Sequence, residues 1–293
     1  MFNQKVLVSG AQFFSDNDAI NVFMDASIPV DVSKAVIEHD HILKALKNAG
    51  IEVLRRPAPT DCQDGVYTAN WALVRNGKAI LARLPNTRQP EQNFAKKYLQ
   101  ELGLEVLELP ESIKQFSGQG DSLACGDIIF AQSGYRTSSG AHPYLREWLG
   151  FNKVISLETE PAINPVTQQP VINAITGLPD SPTYDIDLAL SILKWPEDGK
   201  KGLIAYCRDV FKSSSQKILD ELDGVDKIVV SRNEAISAYA MNLVSTGKVV
   251  IMNSGAPIYQ AALESHGLQT VTLDLPELKK GGGSIRCTTL TLS

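Results

Sequence analysis

One order of elements recurs along the 293 residues, and that recurrence limits the fold more than any single motif does. A short apolar strand, a polar turn, a second strand, an amphipathic helix and a third strand follow one another, and the order then begins again. GVYTANWALV, RNGK and AILARL read as a hairpin, EQNFAKKYLQELG as the helix and LEVLELP as the third strand, over about residues 63–110. DSLACGD, IIFAQS, SSGAHPYLREWLG and KVISLE give the next unit, 119–158. YDIDLALSIL, KGLIAYC, SSQKILDELDG and DKIVVS give another, 183–231; AISAYAMNLVS, VVIMNS, APIYQAALESHG and LQTVTLDL give the last, 234–275. In EQNFAKKYLQELG, residues Phe94, Tyr98, Leu99 and Leu102 share one face, which would pack outside the strands.

The first copy, about 1–60, has KVLVSG, the helix VSKAVIEHDHILKALKNAG and the strand IEVLRRP, but no leading strand. SIRCTTLTL, within 284–293, can supply it. The expected fold is a single α/β domain: a five-bladed ββαβ propeller with pseudo-fivefold symmetry, its C-terminal strand completing the first repeat. Residues 159–182, Pro-rich and without charge clusters, read as an insertion, either a lid over the site or a crossing linker.

A radial arrangement changes the weight of single residues, because its leading strands converge. These segments carry Asp64, Asn70, Asp121, Asp185, Asp187, Asn242 and Cys287. Acids, amides and one thiol from separate segments would meet in an acidic site. The run GGGSIRC reads as a bare loop that leaves clearance for a substrate beside Cys287. A thiol is nucleophilic as thiolate, with an ordinary pKa of about 8.5, and surrounding carboxylates oppose its ionisation unless a cation enters with the substrate. A guanidinium group meets that need: it is planar, offers forked N–H donors to carboxylates, and stabilises a thiolate near its central carbon. Attack there, loss of an amine and resolution of the thiouronium is two-step nucleophilic catalysis.

The remaining composition narrows the partners. A net charge of −5 gives no electrostatic reason to expect nucleic acid or an anionic membrane, and a small cationic guanidino or amine substrate fits better. No apolar run approaches the roughly 18 residues of a membrane span, and the N-terminus lacks a signal-peptide layout. Cys62, Cys125, Cys207 and Cys287 have neither metal-site nor disulfide-scaffold spacing, so reduced thiols in a cytoplasm are expected. No cofactor or metal is called for, and a homodimer is compatible with the sequence.

The order of repeats together with DGVYTAN, GQGD, GYRTS, YDIDLAL and GGGSIRC resembles the guanidino-modifying superfamily, the penteins. The resemblance is nearest to its dimethylarginine dimethylaminohydrolase and amidinotransferase-like branch, and covers almost the whole chain. It implies a cysteine-dependent hydrolase or amidinotransferase acting on an arginine-like guanidine, with Cys287 as nucleophile. It also implies Asp64, Asn70 and Asp187 around the guanidinium, and Arg136 and Arg83 on the substrate's carboxylate. Two positions depart from the family pattern. Asp185 stands where the family carries its general acid and base, a histidine, and Ser117 where it carries a supporting glutamate. Two readings follow: an enzyme in which Asp185 handles protons, or a diverged pentein that binds a ligand or macromolecule without turnover. His39, His41, His142 and His266 all fall on outer helices of the expected fold.

Overall fold

Short runs of two to five residues, too short for helices and mostly apolar, form the strands of this protein. The computed structural model describes residues 2–197 and 199–293. In chain order the first unit has β1 (Lys5–Val8), α1 (Val32–Asn48) and β2 (Glu52–Arg55). The second has β3 (Ala72–Arg75), β4 (Lys78–Leu81), α2 (Glu91–Glu101) and β5 (Glu105–Leu107). The third has β6 (Ser122–Cys125), β7 (Ile128–Gln132), α3 (His142–Leu149) and β8 (Lys153–Leu157), and the fourth β9 (Leu190–Lys194), β10 (Gly202–Tyr206), α4 (Ser213–Glu221) and β11 (Val225–Val229). Then come α5 (Arg232–Ser237), β12 (Val244–Ser245), β13 (Val249–Asn253), α6 (Pro257–Ser265) and β14 (Gln269–Leu273), followed by α7 (Pro276–Lys280) and β15 (Leu290–Thr291).

The strands form five separate three-stranded sheets rather than one closed sheet. In each, the middle strand runs antiparallel to the first and parallel to the third, as in β4 with β3 and β5. The β3–β4 hairpin closes through Asn76 and Gly77, at φ 52° and 76°, the two-residue turn whose twist suits a hairpin. In the first sheet β15 takes the place of the missing first strand: Val6 faces Thr291 and Leu7 faces Leu290, antiparallel. A parallel third strand requires a crossover, and each unit's helix provides it while burying one face. In α1, capped by Asp31 accepting from Lys34 N–H, that face is Ala35, His39, Ile42, Leu43 and Leu46.

The leading strands are shorter than the sequence pattern implied. AISAYAMNLVS is not a strand throughout: Ser231 caps α5 by accepting from Glu234 N–H, and only Val244–Ser245 pair with β13. The Glu234 carboxylate also accepts from Ile258 and Tyr259 N–H at the start of α6, so the helical turn is fixed from two sides. SIRCTTLTL pairs only through Leu290–Thr291. Segments around 68–71, 118–120 and 186–188 are single 3₁₀ turns. The chemically interesting residues therefore occupy turns leading into first strands.

Residues 159–182 hold two copies of a nine-residue turn, INPVTQQP and INAITGLP with the residue before each. Asn164 Oδ1 accepts from Val166 and Thr167 N–H, and Asn173 Oδ1 accepts from Ile175 and Thr176 N–H. Gln168 and Gly177 take matching positive φ values of 57° and 69°. Asn173 Nδ2 donates to Ala19 C=O at 3.0 Å, so this arm leans on the irregular segment after β1. Among the described residues no helix is long and apolar enough to cross a membrane.

First strands of several sheets line a single cavity of about 510 Å³: Leu73 and Val74 from β3, Leu123 from β6, Leu190 and Ile192 from β9, and Thr291 from β15. Leu243, next to β12, completes the wall, and Asp187 lies on it.

Candidate active site

Asn242 shapes the turn that carries Cys287. Its Oδ1 accepts from the N–H groups of Ser284, Arg286 and Cys287 at 3.1, 3.0 and 3.2 Å. Its Nδ2 donates to Cys287 Sγ at 3.1 Å. Accepting three backbone hydrogen bonds fixes which way the amide faces, so the nitrogen must meet the sulfur. On its other side Cys287 Sγ donates to Asp187 Oδ2 at 3.3 Å. Asp187 is fully buried and its Oδ1 has no partner.

Two residues earlier, Asp185 is held by donors from two other units. Ser117 Oγ donates to its Oδ1 at 2.9 Å and Asn70 Nδ2 to its Oδ2 at 2.7 Å. Gly120 permits this approach: a Cβ there would lie 2.6 Å from Asp185 Oδ2 and would overlap Asn70 Nδ2. Asn70 Oδ1 accepts from Arg88 Nη1 at 2.9 Å, and Arg88 pairs with Glu91 at 2.8 Å, both buried. Asp121 Oδ1 accepts from Ile186 N–H at 3.1 Å and thereby orders the turn that presents Asp185 and Asp187.

Burial dominates the electrostatics. It pushes the Asp187 carboxyl up, to about 8, with the Asp185 charge beside it adding to the rise. Burial and then Asp185 push Asp121 well above the usual carboxylate range. The Cys287 thiol is raised well above its ordinary value by burial and then by Asp187 and Asp185. Asp64, whose Oδ2 accepts from Gln63 Nε2 at 2.9 Å, is raised by burial to about 6 despite the opposing charge of Arg88. The resting site keeps its thiol protonated.

Three tyrosines surround the thiol and fix the glycine loop. Tyr67 OH donates to Leu278 C=O, Tyr239 OH to Lys279 C=O and Tyr184 OH to Gly282 C=O, at 2.6, 3.1 and 2.7 Å. Phe23 packs on Tyr239 and Tyr184, with ring centroids 4.9 and 6.4 Å apart, and Asn21 Nδ2 donates to Gly281 C=O. The segment after β1 therefore covers this side of the site. The space beside Gly281, Gly282 and Gly283 is taken by Tyr67, Asn21 and Tyr184, which corrects the reading of the run as clearance for substrate. A Cβ on Gly283 would lie 2.6 Å from Tyr67 Cε1 and 2.9 Å from Cys287 Cβ.

The structure brings Cys287, Asp187, Asp185 and Asn70 into one cluster. Arg136 lies over the Tyr184 ring at 3.9 Å and donates to Ile20 C=O at 3.2 Å, near enough to Asp64 for their charges to interact. Arg83 is elsewhere. Its guanidinium is bonded to the carbonyls of Leu109, Pro110 and Ile113, so it ties a loop and does not face the cluster. No histidine joins the cluster either. His39 is buried on α1 and pushed down to about 4 by that burial, and His142 bonds Ser156 Oγ and Gln132 C=O. Among the described residues no group of His, Cys, Asp and Glu is arranged to hold a metal ion.

Sequence reasoning placed Asn242 on a converging segment without a role, and it missed Arg88, Glu91 and the tyrosines. The only local signal for the buried pair was a charged Arg88 three residues before Glu91 at a helix start.

The family model for N,N dimethylarginine dimethylhydrolase, eukaryotic, matches residues 8–175. N(G),N(G)-dimethylarginine dimethylaminohydrolase of Mycobacterium tuberculosis is 31% identical over 281 residues, 96% of this chain and 83% of that protein. The bifunctional arginine dihydrolase/ornithine cyclodeaminase AgrE of Nostoc sp. is 28% identical over 94% of this chain, which spans 36% of that longer protein. A crystal structure of unliganded AgrE superimposes with a TM-score of 0.85 at 26% identity, covering 99% of this chain and 39% of that one.

Proposed function

Because the chain belongs to the dimethylarginine dimethylaminohydrolase family of guanidino-modifying penteins, we propose that it is a cysteine-dependent hydrolase of the guanidino group of an arginine-like small molecule. The observation that carries the proposal is the placement of Cys287 Sγ between Asn242 Nδ2 and Asp187 Oδ2, with the second Asp187 oxygen unpartnered. That oxygen is free to accept a guanidinium N–H. The five sheets would then be five blades about a pseudo-fivefold axis in one domain over 1–293, with the shared cavity on the axis. Hydrolysis is favoured over amidino transfer because the relatives bear hydrolase names.

The chemistry follows from the electrostatics. At rest, two carboxyls and burial hold the proton on the Cys287 thiol. A guanidinium entering beside Asp187 brings a positive charge that favours both thiolate and carboxylate. The thiol proton passes by way of Asp187 to Asp185, Sγ bonds to the guanidinium carbon, and that carbon's bond to the leaving nitrogen breaks as the nitrogen takes that proton from Asp185. Water then adds to the thiouronium carbon, the C–S bond breaks, and a ureido product leaves as the thiol regains its proton. Asp185, held by Ser117 and Asn70 on the same turn as Asp187, is the proton carrier for the departing amine and the incoming water. Asp64 and Arg136, whose charges interact, would meet the amino and carboxylate ends of an amino-acid substrate.

A second reading, a ligand-binding pentein without turnover, is favoured by one feature: Asp185 already has hydrogen bonds from Ser117 and Asn70. Labelling with 2-chloroacetamidine, mapped by mass spectrometry, tests the nucleophile. The expected result is that Cys287 reacts faster than Cys62, Cys125 and Cys207, and that L-arginine or dimethylarginine protects it. Equal rates at all four cysteines would remove Cys287 as a nucleophile. Selective labelling without amine release from either guanidine would favour the binding protein.

A further inference from the structure

We propose that the shared cavity is a second site, one that binds a small carboxylic acid with an apolar tail and takes its carboxylate on Arg286. At about 510 Å³ the cavity falls in the range of ligand pockets, roughly 300–1,000 Å³. Part of its wall is apolar, with Leu73, Leu123, Leu190, Ile192, Met241 and Leu243 in it. Phe2 and Trp195, stacked at 5.5 Å and nearly parallel, also line it.

The polar lining includes Arg286, Gln119, Thr291 and Ser122. Arg286 is 9% exposed. Its guanidinium donates to Gln119 Oε1 at 3.0 Å, Thr291 Oγ1 at 2.9 Å and Thr289 C=O at 3.5 Å, all of them neutral. Among the described residues no carboxylate lies within ion-pair distance of it. Its opposing charge is Asp187, which acts on it electrostatically without forming an ion pair; burying a cation so loosely compensated is costly, a cost that a bound anion would reduce. Ser122, which lines the same cavity, has a buried hydroxyl with no hydrogen-bond partner.

These features select the ligand class. A planar carboxylate matches the guanidinium fork and leaves an oxygen for the Ser122 hydroxyl. A phosphate dianion would meet apolar walls and the Asp187 carboxyl. A guanidinium or ammonium would be repelled by Arg286, so this cavity is not the substrate site proposed above. Asp187 is the one residue shared by both.

Octanoate is the probe and octylamine, of matching tail and opposite charge, its control. Calorimetric titration of the full chain should give saturable one-to-one binding of octanoate, with a change in Trp195 fluorescence that Trp195→Phe removes. Octylamine should not bind. Arg286→Gln should weaken octanoate at least tenfold. Ser122→Ala, which removes only an unpartnered hydroxyl and leaves the fold intact, should weaken it severalfold. Cys287→Ser should abolish any guanidine turnover yet leave octanoate binding unchanged, so the two proposals fail separately. Absence of saturable octanoate binding, equal binding of octylamine, or wild-type affinity in both Arg286→Gln and Ser122→Ala would overturn the inference.

Discussion

Replacing Asn242 by Asp separates the two things its amide does. The carboxylate of Asn242→Asp keeps an oxygen for the three N–H groups of Ser284, Arg286 and Cys287, so the turn should survive. The donor 3.1 Å from Cys287 Sγ becomes a second acceptor carrying negative charge. Two unit charges at that distance repel by about 5 kcal/mol at an effective dielectric constant of about 20. With about 1.4 kcal/mol per decade, that is a ceiling of nearly four decades in thiolate population. If relaxation and partial protonation remove half, about a hundredfold remains. The expected outcome is a roughly hundredfold slower reaction of Cys287 with 2-chloroacetamidine at neutral pH, with a melting temperature close to wild type. Asn242→Ala provides the contrast: it strands three buried donors, at about 1–3 kcal/mol each, and should lower the melting temperature plainly. Wild-type labelling of folded Asn242→Asp would refute the claim that this amide supports the thiolate.

Gly283→Ala places a methyl against Tyr67 and Cys287 Cβ, and should cost about 1–3 kcal/mol in urea unfolding while slowing Cys287 labelling. Unchanged stability and labelling would mean that the loop has slack the contacts do not show. Asp187→Asn tests the raised carboxyl. Below the unfolded-state value of about 3.9 both states are protonated, and as pH rises through the folded value of about 8 the native state loses stability. Between those limits wild-type melting temperature should fall more steeply with pH than that of Asp187→Asn, by at most several kcal/mol equivalent; parallel curves would count against the shift.

The middle strands were readable because AILARL, IIFAQS, GLIAY and VVIMN are apolar on both sides, as strands covered on both faces are. The pairing of β15 with β1 was readable because the first copy lacks a strand. Cys287, Asp185 and Asp187 were readable as a meeting point for the same reason, since repeats bring like positions together. What stayed hidden depends on partners far away in sequence. Ser231 and Glu234 cap two helices and so remove most of the fifth leading strand. Arg83 faces carbonyls 26 to 30 residues away that no side-chain pattern announces. The triple glycine carried the right signal, close approach, but the approaching groups are tyrosines from other units.

Asp185 is better understood as a built feature than as a damaged copy of a histidine. Arg88 can only donate, so Asn70 Oδ1 must face it and Asn70 Nδ2 must point at position 185 as a donor. The buried Arg88–Glu91 pair fixes that orientation, and Ser117, short and neutral, adds a second donor. The surroundings therefore call for an acceptor at 185. An imidazole there could meet Asn70 only through a bare nitrogen, so it would be held neutral, and Asp185→His with Ser117→Glu should gain little turnover unless Asn70 is changed too. Asp185→Asn is the clean probe, because its oxygen can accept from Asn70 while its nitrogen donates to the Ser117 hydroxyl. It should fold and label with chloroacetamidine as wild type does, yet lose about 10²–10⁴ in amine release if the carboxyl carries the proton. Full amine release by folded Asp185→Asn would move proton handling to Asp187 alone.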